Sequence, residues 1–192
     1  RLAACMRDFD GAQTIDLVIA NAGVFTGHGA AGDMETADEI AWMLRTNLEG
    51  VVNSIGGALP MMRARQRGRI AIVSSLAALQ PLADAPGYSA SKTGVMGYGE
   101  ALREYLIADN VGVSLIFPGH IETAQVTGHV GALPLLLTAD AAAQRIKRGL
   151  DRNRSFIAFP RRLLWLIRAG RMVPWRLRAR LGRDFRFHVK KP

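Results

Sequence analysis

A chain of 192 residues, 49% of them hydrophobic, is long enough for one domain with a sizeable core. Its single cysteine, Cys5, excludes an internal disulfide; its four histidines, at 28, 120, 129 and 188, show no metal-ligand spacing; and no uninterrupted apolar run is long enough to span a bilayer. The net charge of +9 is unevenly spread: residues 1–144 carry nine Lys/Arg and 14 Asp/Glu, and residues 145–192 carry 16 and two, a mildly acidic body with a strongly basic tail.

Residues 15–20, Ile-Asp-Leu-Val-Ile-Ala, predict a short buried strand closed by the turn Asn21-Ala22-Gly23. Residues 24–34 read as a Gly/Ala-rich loop, with Gly27-His28-Gly29 a flexible stretch inside it. Thr36 or Asp38 can cap a long helix that reaches about residue 65, carries Asn47 and is bent or ended by Pro60. Residues 69–73 predict the next strand, ending at Ser74-Ser75.

A second long helix is predicted over 86–108, where Tyr88 and Lys92, four apart, share a face. Gly94, Gly97 and Gly99 lie inside it, each costing about 1 kcal/mol relative to alanine, a cost that close packing against another helix would justify. Residues 111–117 predict a strand that leads into Pro118-Gly119. The irregular apolar segment 124–138 contains Val126, Leu133, Leu135, Leu136 and Leu137; Thr138 can then cap a helix through Leu150, and 155–159 predict a last strand. Beyond it, Pro174 divides an arginine-rich tail bearing Leu163, Leu164, Trp165, Trp175 and Leu177 into two short amphipathic helices.

The Tyr88/Lys92 pair suits proton transfer. A free tyrosine titrates near pH 10, and an ammonium one helical turn away favours its phenolate. A hydroxyl such as that of Ser75 can hydrogen-bond a substrate carbonyl oxygen, or the alkoxide-like oxygen of an alcohol being oxidised, while Tyr88 passes the proton. No side chain carries a hydride, so a nicotinamide cofactor, NAD or NADP, is implied.

The ordered set Asn21-Ala22-Gly23, Asn47, Ser75, Tyr88-x-x-x-Lys92 and Pro118-Gly119 resembles the short-chain dehydrogenase/reductase family over about residues 14–160. The resemblance implies an α/β fold: a Rossmann-like doubly wound parallel sheet, here lacking the first strands and the glycine-rich loop. It further implies that residues 1–160 are the C-terminal two-thirds of a catalytic domain, with 161–192 a basic helical extension. Position by position, Tyr88 matches the catalytic acid/base, Lys92 the lysine that lowers the tyrosine pKa and holds the nicotinamide ribose, and Ser75 the serine that polarises the substrate oxygen. Ser74 is structural in this scheme. Asn47 matches the asparagine that holds a proton-relay water. Asn21, Ala22 and Gly23 border the adenosine side of the cofactor. Pro118 and Gly119 open the nicotinamide loop, in which the Ile121 backbone and Thr123 would contact the carboxamide; His120 and Glu122 flank Ile121 there as substrate or solvent contacts.

The resemblance also implies a carbonyl/alcohol oxidoreductase, no metal, and a mobile lid over residues 124–138 covering a hydrophobic small-molecule substrate. A homodimer through helices 38–65 and 88–108 is expected. The family's Thr-Gly-x-x-x-Gly-x-Gly loop is absent from this sequence. Residues 15–20 match the family's fourth strand, so three strands and their helices, roughly 70 residues, are expected ahead of it, including the loop that selects NAD or NADP. The alternative is a truncated, catalytically silent paralogue that acts as an interaction or membrane-associated module. The tail suits an anionic membrane surface or a covering over the cleft or a partner subunit. It has the charge but none of the reader motifs for nucleic acid. A cytoplasmic protein, peripherally associated with membrane, is the expectation.

Overall fold

The computed structural model describes residues 2–123, 129–131, 133–182 and 186–189. In chain order these form α1 (Leu2–Ala12), β1 (Leu17–Ala20), α2 (Ala37–Leu44), a π-helical turn (Arg45–Glu49), α3 (Gly50–Ala64), β2 (Gly68–Val73), α4 (Leu76–Leu79), α5 (Pro86–Tyr105) and β3 (Val111–Pro118). There follow β4 (His129–Val130), α6 (Ala139–Asp151), β5 (Phe156–Phe159), α7 (Arg161–Arg171), α8 (Trp175–Leu181) and β6 (His188–Val189).

Four strands pair in parallel in the order β1-β2-β3-β5. The register sets Ala20 beside Ile72 and Val73 beside Ile116, so the carboxyl ends of β1, β2 and β3 open on one edge. That edge is where a doubly wound sheet places its ligands. β3 is buried along nearly its whole length, as expected of a parallel strand covered on both faces. On one face Ile70, Ile72, Val113 and Leu115 meet Val51, Ile55 and Met62 of α3 and Val95 and Leu102 of α5. On the other, Ala71 and Ile116 meet Ala142 and Leu150 of α6. β1, at the sheet edge, buries Val18 and Ala20 but leaves Leu17 and Ile19 on an exposed face.

The first long helix is capped by Thr36, which takes the Glu39 amide while the Glu39 carboxylate takes the Thr36 amide, a reciprocal capping box. Asp38 lies in the first turn. Pro60 sits inside α3 without ending it. Pro60 and Gly56, four residues earlier, are both exposed, and a β-carbon on Gly56 would meet nothing within 4 Å.

The three glycines of α5 have three different surroundings. A β-carbon on Gly99 would stand 2.5 Å from Leu115 Cδ2, so this glycine closes on the sheet rather than on another helix. One on Gly94 would stand 3.1 Å from Leu48, and one on Gly97 would meet nothing within 4 Å.

α1 is an addition to the sequence expectation. It lies on α3, where Met6 Sδ occupies the space a β-carbon of Gly57 would need, and Asp10 binds Arg65 and the Ile15 amide. Gly27-His28-Gly29 is pinned rather than loose: His28 N–H donates to the Asp84 carbonyl at 2.8 Å, and Gly27 and Gly29 are buried. Of the expected lid, residues 124–128 and 132, including Val126, lie outside the described residues. Leu135 and Leu136 are exposed, whereas Leu137 packs with Ile116 and Ile157. In α7, Leu163, Leu164 and Ile167 join the main core, while Trp165 and Leu166 face outward.

Candidate active site

The carboxyl ends of β1, β2 and β3 bring together all four residues expected to carry proton chemistry. Ser75 follows β2 in extended backbone and caps α4, its Oγ accepting the Ala77 amide at 3.1 Å. Tyr88 is the third residue of α5, and Lys92 follows one turn later. Lys92 is only 4% exposed; its Nζ donates to the Val73 carbonyl at 3.0 Å and lies 5.9 Å from the centre of the Tyr88 ring. Ser74 Oγ donates to the Lys92 carbonyl at 2.9 Å, so Ser74 ties the end of β2 to α5, in keeping with a structural place.

Asn47 is fully buried in the π-helical turn. Its Oδ1 accepts the Val24 amide at 2.7 Å, and its Nδ2 donates to the Val24 carbonyl at 2.9 Å and to Ser91 Oγ at 3.0 Å. Ser91 Oγ in turn donates to the Tyr88 carbonyl at 2.8 Å. Asn47 therefore joins the loop after β1 to the first turn of α5. Ser91 is fully buried between them, and the signal for it in the sequence is its place three residues after Tyr88, on the same helix face.

Burial raises the Tyr88 pKa above its usual value, and a hydrogen bond with Ser75 acts in the opposite direction. Burial also lowers the Lys92 pKa from 10.5 to about 8. The sequence expectation was a tyrosine pKa lowered by lysine; here desolvation of the phenol dominates, and the ammonium lies over the ring. Burial lowers the His120 pKa as well, and its Nδ1 lies 3.2 Å from the Pro134 carbonyl, bracing the loop after β3 against the segment before α6.

Asn21 and Ala22 are exposed at the end of β1. A β-carbon on Gly23 would stand 3.3 Å from Lys92 Nζ and 3.4 Å from Asn47 Oδ1, so a side chain here would crowd the lysine ammonium. Pro118 ends β3, and Gly119 N–H donates to the Phe159 carbonyl at 2.7 Å. Ile121 bridges to Leu137, and Thr123 is exposed at the end of the same loop. Among the described residues, no group of three or more His, Cys, Asp or Glu side chains could hold a metal ion.

A family model for short chain dehydrogenases matches residues 2–130. The chain belongs to the short-chain dehydrogenase family. An uncharacterized oxidoreductase of Myxococcus xanthus is 31% identical over 165 residues, which cover 83% of this chain and 62% of that protein. A 3-dehydrosphinganine reductase of Arabidopsis thaliana is 34% identical over 151 residues, covering 73% of this chain and 45% of the relative. This short-chain dehydrogenase thus spans between two-fifths and two-thirds of the length of such relatives. In fold it is similar to a short-chain dehydrogenase from Sphingobium yanoikuyae solved in complex with NADPH, with a TM-score of 0.71 at 22% identity, covering 89% of this chain and 70% of that one.

Proposed function

We propose that this chain is the catalytic part, residues 1–160, of an NAD- or NADP-dependent oxidoreductase that interconverts a carbonyl group and an alcohol, with residues 161–192 as a basic extension. The observation that carries the reading is the convergence of Ser75 and Lys92 on the half-buried Tyr88 at the carboxyl edge of the sheet. In reduction, burial keeps the phenol protonated, so Tyr88 can donate its proton to the substrate oxygen while the Ser75 hydroxyl hydrogen-bonds the same atom. Lys92, with a pKa of about 8, is an ammonium at pH 7 by about ten to one and stabilises the phenolate left behind. In oxidation the same groups run in reverse.

A nicotinamide cofactor, when bound, supplies or accepts the hydride. The residues fit its nicotinamide end. Lys92 has three N–H donors, and the Val73 carbonyl accepts one of them. The side-chain-free position Gly23 leaves a cradle in front of Lys92 and Asn47. Pro118, Gly119, Ile121 and Thr123, at and after the end of β3, would lie toward the nicotinamide, and Asn21 and Ala22, after β1, toward the adenosine side. A water near Lys92, held by Asn47, would complete the proton path.

The exposed Leu135 and Leu136 before α6, and the sphinganine-type name of the Arabidopsis relative, favour a hydrophobic substrate. The protein pairs as a homodimer through α2–α3 and α5, and nucleic acid is no partner. The cytoplasmic enzyme is held peripherally at anionic membrane by its tail, where Trp165, Leu166, Met172, Trp175, Leu177 and Leu181 are exposed among arginines. No described helix is long and apolar enough to cross a membrane.

The exposed Trp165 and Trp175 among the arginines of the tail favour a second reading, a catalytically silent member that acts as an interaction or membrane-associated module. Tyr88→Phe in the full-length protein separates the two. It should abolish ketone reduction and leave NADPH binding largely intact; undiminished turnover, or no NADPH binding by the native protein, would refute the enzymatic reading.

A further inference from the structure

Residues 186–189 return to the neighbourhood of Tyr88. Arg186 Nε donates to Asp84 Oδ1 at 2.5 Å, and Phe187 N–H donates to Asp84 Oδ2 at 3.2 Å. Asp84 is only 4% exposed, so the anchor lies inside the protein. Val189 N–H donates to the His28 carbonyl at 2.8 Å, and β6 pairs antiparallel with β4, His129 opposite Val189 and Val130 opposite His188. Four residues are thus fastened to three separate segments of the chain.

The fastening completes a row of rings. Phe25 meets the Tyr88 ring edge-on with centroids 4.9 Å apart, and Phe187 follows Phe25 at 6.1 Å. His129 stacks on Phe187 at 4.5 Å, and His120, in the loop after β3, lies 6.3 Å beyond. The row runs from Tyr88 to the loop that follows Pro118-Gly119. The backbone bonds of β6 would form with almost any side chain, so they do not explain an aromatic residue at 187. Gly131, at φ +147°, lets the returning chain lie close: a β-carbon there would stand 2.8 Å from Phe187 Cβ and 3.1 Å from its Cα.

We propose that residues 186–189 form one wall of the substrate site, and that Phe187, braced by Phe25 and His129, determines specificity for carbonyl compounds bearing a flat apolar group. The proposal rests on the reading of Tyr88 as the acid/base. Ring faces and edges attract other flat apolar groups beyond simple area burial, and a row that begins at the proton donor lies within reach of a group next to the reacting carbonyl. Arg186 and Asp84 act as a positioning pair that sets the ring in place.

Binding of acetophenone and butan-2-one to the full-length protein with NADP, followed by NMR titration, tests the wall without requiring turnover. The native protein should prefer acetophenone by about tenfold, Phe187→Ala should erase the preference, and Phe187→Tyr should keep it. Phe187→Leu, which keeps most of the volume, serves as the second variant should the alanine form fail to fold, and should also lose the preference. Arg186→Gln should speed amide hydrogen exchange at Phe187 and Val189 by about tenfold or more. An unchanged preference in Phe187→Leu, no binding of either ketone by native protein, or unaltered exchange in Arg186→Gln would overturn the proposal. Retained turnover in Tyr88→Phe alongside a Phe187-dependent preference would instead overturn the acid/base assignment and leave the wall standing.

Discussion

Glu35 Oε2 accepts the amide of Gly87 at 2.7 Å, one residue before Tyr88. The carboxylate is 7% exposed and sits at the start of α5, where unpaired N–H groups and the helix dipole favour negative charge. Glu35→Ala should therefore lower stability by about 1–2 kcal/mol, and Glu35→Gln, which keeps the acceptor oxygen, by less than about 1 kcal/mol. Urea denaturation measures both; an alanine variant as stable as the native protein would remove Glu35 from the list of groups that set the first turn of α5.

The glycines of α5 should respond in opposite directions. Gly99→Ala forces a methyl to within 2.5 Å of Leu115 Cδ2 and 3.1 Å of Ile72 Cδ1, and overpacking of this kind costs about 1–3 kcal/mol. Gly97→Ala meets nothing within 4 Å on an exposed face, and should gain about 0.5–1 kcal/mol from helix propensity. Thermal melts of the two variants should move apart. A destabilised Gly97→Ala that also sediments as a smaller species would place position 97 in a subunit contact.

Lys92 should leave a signature in the pH dependence of stability. Its folded pKa, about 8, lies below the ordinary 10.5, so between these values the unfolded chain binds the proton that the folded chain has released. Stability from this group rises with pH across that window, is fully present above 10.5, and is lost as pH falls through 8, a change of about 3 kcal/mol. Denaturation midpoints of native protein and Lys92→Met, compared at pH 7 and pH 10, isolate the effect: the native protein should lose ground to the variant as pH falls. Parallel curves would show that burial does not hold the lysine pKa down.

The tail should bind anionic vesicles. Trp165 and Trp175 are each about two-thirds exposed, and from residue 152 to residue 183 every charged side chain is an arginine. Sedimentation with phosphatidylglycerol vesicles is expected at low salt, with most of the binding lost in about 0.5 M salt and in Trp165→Ala/Trp175→Ala. No sedimentation at low salt would sink the membrane assignment.

Much of the site could be read from the sequence because its parts are local. Tyr88 and Lys92 are one helical turn apart, Ser75 follows an apolar strand, and Thr36-x-x-Glu39 spells its own cap. Contacts made across long stretches of chain carry no such local signal. Asp84 receives Arg186 over 102 positions and Glu35 receives Gly87 over 52, and nothing near either carboxylate announces its partner. α1 went unread because it has no capping signal and buries no residue fully; its Met6 finds a place only where Gly57 of α3 leaves a gap. The tyrosine pKa also ran against expectation, since spacing brings an ammonium near but says nothing of how much water the fold removes.

The π-helical turn at Arg45–Glu49 sets a rule about chain length rather than chemistry. Gly50 N–H bonds back to the Arg45 carbonyl, five residues away, so this turn holds one residue more than an ordinary α-helical bond would span. The wide turn absorbs that extra residue within about one revolution, so α2 and α3 on either side keep the relation they would have in a regular helix one residue shorter. Met43 on one flank thus stays beside Gly87, while Asn47, inside the wide turn, holds Val24 and Ser91. A one-residue deletion here that spares Asn47 should wind the turn back to regular helix with little movement of its flanks, whereas replacing Asn47 removes the bonds to Val24 and Ser91.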